Sequence, residues 1–254
     1  MEATLRTLIA LAFTGLLVLL RLEADRFGAA EYVEADRDGE RPASRRQLAW
    51  YLLGIGLIGA VWFSDPAPDG QLFLRLGDPG AAILWGFLLG GLGIGQGLLL
   101  ARRQHGPFRP PDAEQYPRAV LISAGTALVD ELTFRGALLG LLVVAGFDPL
   151  PAVVIQTLVY ALATRLGKPG RDRVLLARSL VIGLVAGCAT LATGGIGAAF
   201  VGHLVTRIAM FTATGHVGQD PTARSMPAVS HDPRVLAQRR RTGEGTTGPT
   251  ARPS

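Results

Sequence analysis

The sequence predicts an all-α fold, a polytopic transmembrane helical bundle of about seven spans. Three observations carry that expectation. Of 254 residues, 49% are apolar and 18% charged, and the mean hydropathy is positive. The apolar residues gather into long runs separated by arginine-rich polar stretches, the pattern of segments that cross a bilayer. One run carries Asp130, Glu131 and Arg135 in its interior. Charges at that depth cost roughly 2.5 to 3.5 kcal/mol each on insertion scales, so a chain keeps them only where something compensates or uses them.

The first run, 7–20, is followed by Arg21, Glu23, Asp25 and Arg26 rather than by a small-residue cleavage site, and it reads as an uncleaved first span. Residues 28–46 hold Glu31, Glu34, Asp36, Arg37, Asp38, Glu40 and Arg41. That stretch is too charged for lipid and is expected as a loop or an interfacial helix. The second span, 47–63, has Trp50 and Tyr51 near one end and Trp62 and Phe63 at the other, positions expected at headgroup level. Ser64, Asp65 and Pro66 stop it.

A short loop with Arg75 and Asp78 leads to the third span, 81–101, which Arg102 and Arg103 end. Gly91, Gly93, Gly95 and Gly97 have no strand before them and sit in an apolar frame. They are therefore expected as helix-packing positions rather than a nucleotide loop, as are Gly183 and Gly187. Spans follow at 119–146, 152–164, 174–191 and 196–214, the fourth holding the acidic cluster and the seventh His203 and Arg207. From residue 215 the chain is rich in Pro, Gly, Thr and Arg, and a disordered tail is expected. Three regions result: 1–118 with three spans, 119–214 with four, and the tail 215–254.

The excess of base over acid, 25 against 20, falls between the apolar runs or in the tail. It is read as topology information, not as a nucleic-acid surface. Arg21, Arg26, Arg37, Arg41, Arg45 and Arg46 follow span one; Arg102, Arg103, Arg109 and Arg118 follow span three; Arg165, Lys168, Arg171 and Arg173 follow span five. The tail adds Arg224, Arg234, Arg239, Arg240, Arg241 and Arg252, whereas the other side offers Arg6 and Arg75. The amino terminus is expected outside, the carboxyl terminus in the cytoplasm, and the location the cell membrane. The single cysteine, Cys188, cannot form an internal disulfide.

In an α-helix Glu131 and Arg135 lie four residues apart on one face, acid before base, the favourable orientation. Asp130 points about 100° away and lacks that partner. Asp130 is twelve residues from Arg118, about 18 Å at 1.5 Å per residue, and His203 lies at a similar depth from the end of span seven. The two helices can therefore bring Asp130 and His203 together. Charge arithmetic over Asp130, Glu131, Arg135 and Arg207 closes at zero, which makes Arg207 the expected partner of Asp130 or Glu131.

Asp130-Glu131-Leu132-Thr133-Phe134-Arg135-Gly136-Ala137 resembles the Glu-Glu-x-x-x-Arg motif of the CPBP family, the type II CAAX prenyl endopeptidases and their bacterial relatives. The resemblance spans roughly 119–214. It implies an intramembrane endopeptidase of the glutamic type, formerly called a metalloprotease, in which the first acid and a His activate water. The substrates implied are membrane-embedded or lipidated peptides. Asp130 takes the catalytic Glu position, Glu131 and Arg135 fill theirs, and His203 matches the third motif, His-x-x-x-Asn, which is thought to stabilise the oxyanion. Two positions are degenerate. Tyr160 to Thr164 occupy the Phe-x-x-x-His motif with Thr164 in place of His, and Arg207 stands in place of Asn.

Thr cannot accept a proton near neutral pH, so weak or no activity is expected. The alternative is a catalytically inactive pseudoprotease that binds a peptide or lipid partner in the same pocket. No cofactor is expected. Zinc wants three or four protein ligands. Asp130, Glu131 and His203 are the sole set within the spans, since His105, His216 and His231 lie outside them.

Overall fold

The computed structural model describes residues 2–24, 26–27, 29, 45–104, 111, 113–166 and 173–214. All regular structure among them is helical. The long helices are α1 (Glu2–Leu22), α2 (Arg45–Ser64), α4 (Pro79–Gln104), α5 (Tyr116–Glu131), α7 (Pro149–Leu166), α8 (Arg173–Thr193) and α9 (Gly197–Thr214), with short α3 (Pro68–Gln71) and α6 (Leu139–Val144). Five are long and apolar enough to cross a membrane: α1, α2, α8 from Leu176, α7, and α4 over Pro79–Gln96. Gly197–Ala213 is a shorter apolar helix. The chain is a helical membrane bundle. The loop at 30–44, the linker at 167–172, the histidines His105, His216 and His231, and the tail 215–254 lie outside the described residues.

The fourth apolar segment is the axis of the bundle. From Tyr116 to Val144 it runs as α5, then a π-helical stretch Leu132–Leu138, then α6. Its residues Ala119, Ile122, Ala127, Val129, Phe134, Ala137, Leu139 and Leu141 are all buried. In the π stretch the Leu139 amide reaches back five residues to the Phe134 carbonyl. Such wide turns appear mostly at functional sites. Here the Gly136 carbonyl accepts a bond from the Phe73 amide, 3.2 Å away, so a non-helical segment supplies the donor.

That segment, between α3 and α4, is more than the short loop expected from the sequence. Leu72 is buried. The Ile196 and Gly197 amides donate to the Arg75 and Leu76 carbonyls at 2.8 and 3.1 Å, and the Asp78 amide donates to the Thr193 carbonyl at 2.8 Å. Irregular backbone is tolerated within a membrane protein only where protein groups satisfy it in this way. A Cβ on Gly140 would sit 2.8 Å from the Gln71 carbonyl oxygen and 2.9 Å from Leu72 Cα, so glycine is what admits the segment.

Between helices in lipid, close approach replaces the hydrophobic drive. Gly183 and Gly187 behave as expected. Added Cβ atoms there would lie 3.0 Å from a Thr157 methyl and 2.9 Å from a Val153 methyl, which seats α8 on α7. In α4 the packing positions differ from those expected. Gly86, Gly90 and Gly93 face Val201, Val205 and Thr206 of α9, whereas Gly91 and Gly95 face open space. The surroundings of Gly97 lie outside the described residues. A period of four and three residues, rather than alternation, selects the buried face.

Trp50 is fully buried, with its Nε1 donating to the Leu20 carbonyl at 2.9 Å. Tyr51 packs edge-on to Trp50, and its hydroxyl lies 3.0 Å from Thr126 Oγ1. Both rings hold α2 against α1 and α5. Two arginines counted for topology are likewise engaged. Arg21 is buried, and Arg75 Nε donates to the Gly194 carbonyl at 2.7 Å. Arg6 donates to the carbonyls of Phe63, Ser64 and Asp65, covering the orphan oxygens at the end of α2.

Gly93→Val should therefore lower stability by about 1 to 3 kcal/mol, the usual range for overpacking. Gly95→Ala should be neutral or stabilising by up to about 1 kcal/mol, because alanine removes backbone entropy without a clash. Thermal unfolding of the purified protein in detergent separates the two; equal effects at both positions would contradict the packing face assigned to α4.

Candidate functional site

The site forms where α5 passes into its π turn. Glu131, the last residue of α5, is fully buried. Its Oε1 accepts from Arg135 Nη1 at 3.2 Å and from His203 Nδ1 at 2.8 Å. A carboxylate only accepts, so in this contact the imidazole Nδ1 is the donor. The predicted Glu131 and Arg135 pair is present, and the wide turn does not break it.

Arg135 has a second neighbour. Its guanidinium carbon lies 4.1 Å from the centroid of the Tyr160 ring, and Phe134 meets the same ring edge-on at 5.2 Å. A guanidinium over an aromatic face gains about 0.5 to 2 kcal/mol, more where water is excluded. Tyr160 thus keeps the aromatic position of the second motif as the platform beneath Arg135.

Two further contacts set the register of α9 on α5. Tyr116 packs edge-on against Phe211 at 5.3 Å, near the start of α5, while Glu131 meets His203 at its end. The helices are therefore antiparallel, and Arg207 lies one turn beyond His203, between the two contacts. Helix α7 is antiparallel to the same rod, because Val153 clusters with Leu139 and Tyr160 with Phe134. Thr164 lies one turn past Tyr160 on α7. Thr164, His203 and Arg207 are all buried.

Asp130 differs from expectation. Its Oδ1 lies 2.9 Å from Arg21 Nε in an ion pair whose side chains are 1% and 2% exposed. The sequence offered Arg207 as the partner of Asp130 or Glu131; the structure sets Arg21 of α1 against Asp130. Nor is His203 bonded to Asp130, as its matched depth suggested, but to the adjacent acid Glu131. The two carboxylates point to different sides of α5, one toward α1 and one toward α9. Adjacent residues on a helix diverge by about 100°, so the two acids face different neighbouring helices. A usable signal was present: an acid at membrane depth needs a base, and Arg21 closes the first apolar run.

Among the described residues no three His, Cys, Asp or Glu side chains group as a metal set. The donor chemistry also fits a cation poorly, since guanidinium groups already occupy both carboxylates. Glu131 Oε2, Arg135 Nε and Nη2, and Thr164 Oγ1 are buried with no hydrogen-bond partner among the described residues. Each buried polar valence of this kind calls for an explanation, of which a catalytic role is one.

A family model described as Rce1-like, type II CAAX prenyl endopeptidase Rce1-like, matches residues 112–209. No curated protein and no solved structure matches the chain.

Arg135→Met leaves Glu131 buried beside fewer positive charges and should lower stability by about 3 to 5 kcal/mol. Arg135→Met combined with Glu131→Gln should recover at least half of that loss. Chemical denaturation in detergent measures both; a double variant no more stable than the single one would show that the ring contact, not the ion pair, fixes Arg135.

Proposed function

Residues 112–209 are a CPBP-family segment, of the type II CAAX prenyl endopeptidase kind, and from that premise we propose that the chain is an intramembrane endopeptidase in which Glu131 and His203 form the general-base pair. The observation that carries this reading is the 2.8 Å bond from His203 Nδ1 to Glu131 Oε1. A carboxylate that holds one imidazole nitrogen orients the other as a base, the arrangement that recurs in hydrolases of unrelated folds.

The resemblance gives the first acid of the motif, here Asp130, the role of base. The ion pair with Arg21 supports a different division of labour, because it holds the Asp130 carboxylate toward α1 while Glu131 holds the imidazole. His203 Nε2 takes a proton from water as the water oxygen bonds to the peptide carbonyl carbon. Negative charge then moves to the carbonyl oxygen. Arg207, one turn from His203, is the cation suited to that charge. Collapse breaks the carbon–nitrogen bond, and the proton on Nε2 passes to the leaving amine. The substrate class is a membrane-embedded or lipidated peptide, reached from the bilayer.

Seven spans with the amino terminus outside and the carboxyl terminus in the cytoplasm are part of the same proposal. A second reading, a pseudoprotease that binds such a peptide without cleaving it, draws on Thr164 at the position where the resemblance expects a base. The test is turnover of a peptide bearing a prenylated cysteine and three further residues, by full-length protein in liposomes. Wild type should cleave it, and Glu131→Gln and His203→Ala should each lower kcat at least about a hundredfold, the scale of losing general-base catalysis. Saturable binding without turnover by the wild type would instead establish the pseudoprotease.

A further inference from the structure

The two acids of the motif are adjacent, yet each has its own cation. Glu131 is bonded to Arg135 and His203. Asp130 is paired with Arg21, which lies in α1, well outside the matched residues 112–209. Helix α1 reaches the site through Val18 and Leu22, which pack against Phe134, Tyr160 and Ala163. Its last turn therefore meets the turn of α7 that carries Arg135's ring platform. Arg21 extends inward from there, with 2% of its side chain exposed.

We propose that Arg21 is a positioning residue for the peptidase: by occupying Asp130 it keeps His203 and Arg135 on Glu131. The inference rests on the reading of Glu131 and His203 as the base pair. Its physical basis is competition. Two carboxylates one residue apart in a nearly dry interior both seek positive or donating groups, because an uncompensated charge there is heavily penalised. Without Arg21, the Asp130 carboxylate competes for Arg135, the cation that Glu131 holds. That shift disturbs the imidazole, because Arg135 shares the Glu131 oxygen with it. A displacement of about 1 Å in such a group costs on the order of a hundredfold in rate.

The ion pair sets Arg21 against Asp130, while His203 and Arg135 meet the other acid, Glu131. That gives the proposal a signature that a merely structural residue does not share. Arg21→Met should lower kcat at least tenfold with KM within threefold of wild type, since the peptide is still bound but the base is misaligned. Arg21→Lys, which keeps the charge, should retain at least a third of wild-type kcat. Arg21→Met with Asp130→Asn removes cation and competitor together, and kcat should rise at least fivefold above that of Arg21→Met.

All are measured on full-length protein in liposomes with the prenylated peptide, beside wild type and Glu131→Gln. A double variant no faster than Arg21→Met, or Arg21→Met with wild-type kcat, overturns the role of Arg21 while leaving the peptidase reading in place. Should Arg21→Met fail to fold, Arg21→Lys and the double variant decide, and a double variant more than tenfold slower than Arg21→Lys overturns the proposal. Absence of Glu131-dependent turnover in the wild type overturns the peptidase reading, and this role with it.

Discussion

The Glu131 carboxylate is the constraint on which the remaining structure depends. It is fully buried, one of its oxygens is shared by Arg135 and His203, and those two groups belong to different helices. A carboxylate in lipid cannot be left to water, so α9 must dock where His203 reaches it, and the chain after α5 must turn so that Arg135 does. The wide π turn, the stack of Arg135 on Tyr160 and the antiparallel placement of α5 and α9 are consequences of that demand. Each supplies one compensation for a charge that would otherwise cost several kcal/mol.

Glycine makes the docking geometrically possible. Helix α4 accepts α9 at Gly86, Gly90 and Gly93, and α8 accepts α7 at Gly183 and Gly187. The α4 and α9 contact brackets His203, between Val201 and Val205, and so sets the depth of the imidazole. The segment before α4 contributes separately, since Phe73 donates to the carbonyl of Gly136 inside the π turn. The glycines at 136 and 140 are what let that segment approach. Packing along α4 and before it thus determines where His203 meets Glu131.

Much of this was legible in the sequence, for identifiable reasons. Helical spans follow from run length and composition alone, and the Glu131 and Arg135 pair follows from a spacing of four. The burial of His203 and Arg207 follows from their place inside an apolar run. What could not be read was the choice among partners. Spacing within one helix is fixed, but which face of α1 meets α5 depends on tertiary packing, so Arg21 looked like a loop cation and Arg207 like the partner of Asp130 or Glu131. The inward contacts of Trp50 and Tyr51 were hidden for a related reason: a ring with a polar tip suits a headgroup or a buried carbonyl equally well. The π turn left no trace in hydrophobic periodicity, because one widened turn shifts the pattern by less than a residue.

The central claim is that His203 is held by Glu131 with its proton on Nδ1, leaving Nε2 able to accept one. Nitrogen-15 magnetic resonance of histidine-labelled protein in lipid at neutral pH tests this directly, with His203→Ala identifying the signal. The account predicts a protonated Nδ1 and an unprotonated Nε2, and loss of that fixed tautomer in Glu131→Gln. A proton on Nε2 with Nδ1 bare, or an unchanged signal in Glu131→Gln, would contradict it.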